Sequence, residues 1–222
     1  MVTAREAASR VGPDPIAELL ARVVAGEFPP ADGDITVVPP DRTTGHHPVL
    51  CFTGHAVVST TFDLDAVRAF GADGYGGAHA PDVLRALAGP DGWIGVLDAT
   101  LFALGTGTGS TLMESDDYEG HHRVEYARSV RGDVRVLAND LGLVTLGTGV
   151  GGRIDLGFEL LAEEDRGSGH GRRLVTDALA MVAAGEPVWA SSSPGNARSL
   201  RSLIGARFTL VGSEVIISPG AG

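Results

Sequence analysis

The sequence predicts an α/β protein, and three stretches carry that prediction. Residues 153–161 alternate apolar and other side chains, as a strand does. A glycine- and arginine-rich run follows, Arg166-Gly167-Ser168-Gly169-His170-Gly171-Arg172-Arg173. Beyond it Leu174, Val175, Ala178, Leu179 and Val182 recur at helical spacing until Gly185 stops the helix. A second helical stretch lies at 14–24, and from residue 122 the pattern turns to antiparallel sheet.

In chain order, Pro15 suits a first helical turn, and Ile16, Leu19, Leu20, Val23 and Val24 share one face. That helix is expected to dock on the main body, because its polar face has only Arg22 as a cation for a membrane contact. Residues 29–48 form a Pro/Asp/Gly loop and are the best linker candidate. A strand is expected over 49–60, short helices over 63–70 and 81–88, and another strand over 93–104. Residues 122–130 and 133–138 read as two strands joined by Arg131-Gly132 as a tight turn. Further strands are expected over 142–147, from Arg153, over 187–190 and over 211–218. This divides the chain into 1–110, a helical arm and α/β region that is a candidate subdomain, and 111–222, the core.

A strand, a glycine loop with arginines and a helix N-terminus together make an anion site. Backbone N–H groups point out of the loop and first turn, the helix dipole favours negative charge, and glycines let a phosphate approach the backbone. A pyrophosphate is the expected ligand. A P-loop is excluded, since it needs Gly-Lys-Ser/Thr and the chain has no lysine. Gly147-Thr148-Gly149-Val150-Gly151-Gly152 fits a dinucleotide fingerprint by letter, but a strand follows it where a helix is required. Gly105-Thr106-Gly107-Thr108-Gly109 precedes a stretch too polar and acidic for that helix. Both read as glycine turns.

Arg166-x-x-Gly169-x-Gly171 between a strand and a helix resembles the acyl-CoA pyrophosphate loop of the GNAT acetyltransferase superfamily. The resemblance continues through the 187–190 strand, then Asn196, Ser199, Leu200, Leu203 and Phe208, at spacings similar to that family's closing helix and strand start. It covers about 70 residues from Gly152 onward, and the loop is its specific part. The resemblance implies a mixed, mostly antiparallel central sheet flanked by helices, with an extended N-terminal region added here. It also implies acetyl-CoA as co-substrate, no metal, and transfer to a primary amine of a small molecule or protein.

By position in that family, Leu161, Ala162 and Glu163 would hold the pantetheine and thioester carbonyl through backbone N–H groups freed where two strands splay. Gly167, Ser168, Gly169, His170, Gly171 and Arg172 would hold the pyrophosphate, with charge-assisted contacts from Arg166 and Arg172. Asn196 and Ser199 would face the pantetheine arm. Glu159 is the first candidate for general base and Asp155 the second, because strand alternation puts both on one face. Glu125 and Tyr126 are more distant candidates. Where many members of the family have a Tyr to protonate the leaving thiolate, this chain has Leu203, and the usual Gly before Phe208 is Arg207.

Hydrophobic residues make up 43% and charged residues 20%, which argues for a globular protein rather than disorder. The net charge of −11 argues against nucleic acid as a partner. Residues 1–152 hold 10 Arg against 20 Asp/Glu, while 153–222 hold 7 against 8, so the anion loop lies in the near-neutral part. The acidic part would attract a cationic acceptor, or else serves only solubility. No apolar run is long enough for a membrane span, and residues 1–10 lack a signal-peptide core, so the cytoplasm is the expected compartment. A homodimer is the assembly the sequence admits. Cys51, the single cysteine, reads as a buried structural thiol. His46-His47 and His121-His122 read as solvated loop pairs, since adjacent strand side chains point to opposite faces. Two other functions stay open: a non-catalytic acyl-CoA-binding or regulatory module, because of Leu203, and a nucleotide-dependent oxidoreductase, because of the two further glycine runs.

Overall fold

Segments from both ends of the chain build one sheet of eleven strands in the computed structural model, which describes residues 14–162 and 167–220. The strands are β1 (Ile35–Val38), β2 (His47–Phe52), β3 (His55–Ser59), β4 (Trp93–Ile94), β5 (Asp98–Leu104), β6 (Met113–Glu114), β7 (Gly132–Ala138), β8 (Gly142–Thr148), β9 (Ile154–Leu160), β10 (Pro187–Ser192) and β11 (Thr209–Ser218). Their order across the sheet is β1-β3-β2-β11-β5-β10-β9-β8-β7-β6, with β4 pairing β11 off this path. Only β1 with β3 and β9 with β10 run parallel. The α/β class and the mostly antiparallel sheet are therefore as expected.

Helices cover both faces. On one side α1 (Pro15–Val24) and α4 (His122–Val130) pack, and on the other α2 (Leu64–Ala69), α3 (Pro81–Ala88), α5 (His170–Ala180) and α6 (Ala197–Gly205). Asp14 caps α1 by accepting from the Ile16 and Ala17 N–H groups, and Ile16, Leu19, Leu20 and Val23 are buried against Leu50, Val57, Trp189 and Val211. The helix docks on the body, as its apolar face predicts. Leu174, Val175, Ala178 and Leu179 of α5 join Leu203 of α6 in the main core, over Leu101, Leu156 and Val188 of the sheet.

Four expectations are corrected. Residues 122–130 form helix α4, not a strand. Val124, Ala127 and Val130 are buried at a spacing of three, and His121 caps the helix by accepting from the Arg123 N–H. The proposed linker at 29–48 contains β1, which pairs in parallel with β3. The strand expected over 49–60 is a hairpin, turned at Thr53-Gly54 where Gly54 has φ 72°. The strand expected over 93–104 breaks at residues 95–97 into β4 and β5. Of the glycine runs, 147–148 end β8 and 150–152 form a 3-10 turn, while 105–109 follow β5 as a loop, and neither run opens an α-helix. The boundary placed at residue 110 falls between β5 and β6, and β5 lies inside the sheet between β10 and β11.

A buried ion cluster ties these strands together. Arg153, ahead of β9, donates through Nη1 and Nη2 to Glu214 of β11, each at 2.8 Å, and through Nε to Asp155 of β9 at 2.7 Å. Its guanidinium carbon lies 5.5 Å from the Trp189 ring centroid of β10. One side chain thus bridges β9 to β11 over the strands between them. Removing one partner strands a buried charge, so Glu214→Ala is expected to cost about 3–5 kcal/mol in urea denaturation. A loss below about 1 kcal/mol, the size of an exposed pair, would contradict the cluster's structural role.

Candidate functional site

β9 and β10 are paired only from Val188 opposite Ile154 to Ala190 opposite Leu156. Beyond that point β9 stays with β8 as far as Leu160, while β10 stays with β5 as far as Ser192. The two parallel neighbours part, and a gap opens between them. Leu161 donates its N–H to the Leu141 carbonyl at 3.2 Å, on the β8 side. Strand alternation then turns the main chain of Phe158 and Leu160 toward the gap. This corrects the expected register, in which Leu161 led the free N–H groups. Ala162 follows it outside the strand, and Glu163 and Arg166 lie outside the described residues.

Gly157 sits at the parting point. A Cβ there would come within 2.7 Å of Thr145 Oγ1 and 3.3 Å of Arg131 Nη1, so its absence lets the Arg131 guanidinium lie over the strand. Gly167 and Gly169 hold φ values of 94° and 91°, in the left-handed region, and nothing lies within 4 Å of a Cβ built on either. Gly169 is the N-cap of α5 and has no side chain of its own to cap that helix. The loop borders the groove, which Gly167, Ser168 and Gly169 help to line. Gly171 is buried where α5 meets α6, with Ser202 Oγ 2.5 Å from its would-be Cβ.

The groove is a cavity of about 790 Å³ lined by Phe158, Glu159, Leu160, Gly167, Ser168, Gly169, Gly171 and the guanidinium-bearing Arg123, Arg172, Arg198 and Arg201. Glu159 is the one carboxylate among its described lining residues, and Arg123 Nε (3.3 Å) and His122 Nε2 (3.2 Å) both lie against the same Glu159 oxygen. An anionic ligand fits this charge set. His170 opens α5 beside the groove. Asn196 accepts from the Ser199 N–H at 3.2 Å and so caps α6, and both residues line this groove and the neighbouring cavity. Arg198 and Arg201 were not singled out from sequence; their spacing on a helix that closes over the glycine loop was the available signal.

The neighbouring cavity, about 420 Å³, shares Arg123, Phe158, Asn196 and Ser199 with the groove and has a different charge character. Asp98, Asp155 and Glu214 line it, facing Arg123 and Arg131, with Tyr126 of α4 and Trp93 and Val96 at its side. Arg131 Nε lies 3.7 Å from Asp155 Oδ2. Burial pushes the Asp155 carboxyl up against the opposing pull of Arg153 and Arg131. Burial works against the Glu214 carboxylate too, but Arg153 and the Ser191 hydroxyl that donates to it hold it below the usual range. Two guanidiniums, Arg153 and Arg131, thus balance two carboxylates. Asp98 is the third, directly opposite Glu214 on the adjoining strand. Burial, then the Glu214 charge, push Asp98 up to about 6, with Arg123 pulling the other way. Burial and Asp98 also raise the Tyr126 phenol.

Both expected base candidates are thus engaged: Glu159 by Arg123 and His122, Asp155 by the Arg153 cluster. Sequence reading missed Asp98 and Glu214, whose signal was a carboxylate on an otherwise apolar strand. Leu203, at the family's Tyr position, is buried in the core. Cys51 is held as a thiol, since burial pushes it up to about 12. His121, His122 and Glu159 offer ligand atoms within 4.8 Å of one another, because a helix start rather than a strand brings the two rings to 4.4 Å. A cation there would compete with Arg123 for Glu159. No helix among the described residues is long and apolar enough to cross a membrane.

Asp98 keeps a proton in the fold between the ordinary aspartate value of 3.8 and about 6, where an unfolded aspartate is ionised. Stability is therefore expected to fall as pH rises through that window. Thermal unfolding of Asp98→Asn should gain on the unaltered protein between pH 4 and 7. Parallel pH profiles for the two proteins would contradict the assignment.

No family model matches the chain, and no curated protein matches it. Among solved structures, it is similar to an acetyltransferase from the GNAT family of Colwellia psychrerythraea, at 13% identity and TM-score 0.37, over 58% of this chain and 57% of that one. It is similar to a structure assigned as a GNAT-family acetyltransferase from Novosphingobium aromaticivorans, at 14% identity and TM-score 0.39, over 60% and 69%. A third is a GCN5-related N-acetyltransferase from Kribbella flavida, at 13% identity and TM-score 0.36, over 67% and 65%. These likenesses are partial.

Proposed function

We propose that the protein is an N-acetyltransferase of the GNAT type, moving an acetyl group from acetyl-CoA to a primary amine of a small molecule or protein within a ternary complex. One observation carries the reading: two contiguous cavities of opposite charge character meet where β9 parts from β10. The arginine-lined groove suits the phosphates of CoA, with the α5 N-terminus and the Gly167–Gly169 backbone as donors. The pantetheine arm would run along the exposed main chain of Phe158 and Leu160, where an N–H can stabilise the oxyanion of the tetrahedral intermediate.

The acceptor amine enters the carboxylate-lined cavity. Its nitrogen attacks the thioester carbonyl carbon, the C–S bond breaks, and an amide and CoA thiolate result. The amine proton passes to Asp98, a carboxylate that guanidinium pairing leaves over and that is ionised above about pH 6. Glu159 positions Arg123, and Asp155 positions Arg131 and Arg153. The thiolate leaves without a dedicated acid, since a thiol's ordinary pKa is about 8.5. Burial of Leu203 favours one second reading, an acyl-CoA-binding module without turnover.

Calorimetric titration with acetyl-CoA separates these readings from the rest. Micromolar affinity is expected, and Arg198→Glu with Arg201→Glu should weaken it at least about tenfold, through loss of charge-assisted contacts. An unchanged affinity would remove the groove from the site. With an amine acceptor, Asp98→Asn should lower the rate by about 10²–10⁴ while acetyl-CoA affinity is retained. The unaltered protein's rate should rise with pH through about 6. Intact binding with no CoA release from any amine would establish the non-catalytic reading.

A further inference from the structure

The acceptor cavity has a composition that selects among amines. At its floor lie the Asp98 carboxylate and its cross-strand neighbour Glu214. Its side is apolar and accessible: Trp93 is 44% exposed, Val96 62% and Tyr126 42%. Large side chains of this kind gathered at a cavity mouth mark a binding surface more than scattered exposure does. Their placement has a local cause. The Gly95 N–H donates to the Ile216 carbonyl at 2.8 Å, which fixes the β4–β5 connection against β11. A Cβ on Gly95 would lie 3.0 Å from Trp93 Cη2, so the glycine allows the indole to lie back over the chain at the rim. Tyr126 faces the same cavity from α4.

The cations lining the cavity are His122, Arg123 and Arg131, and Arg131 Nε is buried without a hydrogen-bond partner among the described residues. Arg123 pairs with Glu159, and Arg131 lies against Asp155 and Thr145, as Arg153 lies against Asp155 and Glu214. A carboxylate on the acceptor would meet like charge from Asp98, Asp155 and Glu214. A second ammonium would have to lie on the apolar rim. The acidic surplus of residues 1–152, 20 Asp/Glu against 10 Arg, draws a cation toward this part of the molecule.

Resting on the acetyltransferase reading above, we infer that the acceptor is a hydrophobic monoamine: one primary amine, seated at Asp98, on an aromatic or branched apolar body that packs against Trp93, Val96 and Tyr126, with no carboxylate. The rim then excludes water from the reacting nitrogen as well as selecting the ligand.

The experiment compares kcat/KM for CoA release with 2-phenylethylamine, ethylamine, spermidine and phenylalanine. Burying a ring of this size should favour 2-phenylethylamine over ethylamine by about 10- to 100-fold. Trp93→Ala should shrink that ratio about tenfold while acetyl-CoA affinity is retained. Equal or better use of ethylamine, spermidine or phenylalanine would overturn the inference and leave the acetyltransferase reading standing. Binding is read separately from turnover by tryptophan fluorescence, because the other tryptophan, Trp189, is buried. A saturable change on titrating 2-phenylethylamine, lost in Asp98→Asn, which keeps the Trp93 reporter, is expected. No change would overturn the inference. If the amine binds but no CoA is released, the acetyltransferase reading fails instead.

Discussion

The Arg153 guanidinium lies buried over Trp189 and reaches from β9 to β11, and much of the molecule is arranged around that reach. It joins the strand before the glycine loop to a strand paired with β2, in the N-terminal part of the chain. It also sets the charge of the cavity lined by Asp98, Asp155 and Glu214. With Arg131 it neutralises Asp155 and Glu214, and so leaves Asp98 as the unbalanced carboxylate. A buried network of this kind is weak evidence for net stability, since desolvation offsets much of the attraction. Its consequence here is positional: it fixes which carboxylate can exchange a proton.

The second constraint is the parting of β9 from β10. A parallel pair that closes normally would satisfy the main chain of Phe158 and Leu160 internally. Here β10 turns into the loop that leads to α6, and those groups face the gap instead. The same parting brings the N-terminus of α5, the start of α6 and the carboxylate-lined face of the sheet to one place. The arginine-lined groove and the carboxylate-lined cavity then adjoin, sharing Arg123, Phe158, Asn196 and Ser199.

Much of this was legible from local pattern. The strand–loop–helix unit at 153–185, α1, α2, α3 and the glycine turns follow from spacing and from Gly and Pro chemistry. What was not legible depends on neighbours in space. Val124 and Val130 fit an alternating pattern with Tyr126 and a helical one with Ala127, and packing against Val136 and Leu143 decides for the helix. Asp98 and Glu214 are far apart in sequence, and only the β5–β11 register sets them opposite each other. The backbone that faces the gap shifted from Leu161 to Phe158 and Leu160, because which alternate residues bond β8 is set by the β8–β9 register. A single sequence carries no direct record of either register.

Hydrogen–deuterium exchange with and without saturating acetyl-CoA tests the central claim most directly, since it reads the backbone groups assigned to the ligand. Protection is predicted at residues 157–160, 167–173 and 196–202, the three segments that surround the groove. Absence of protection there, or protection confined to the glycine runs at 105–109 or 147–152, would contradict the account.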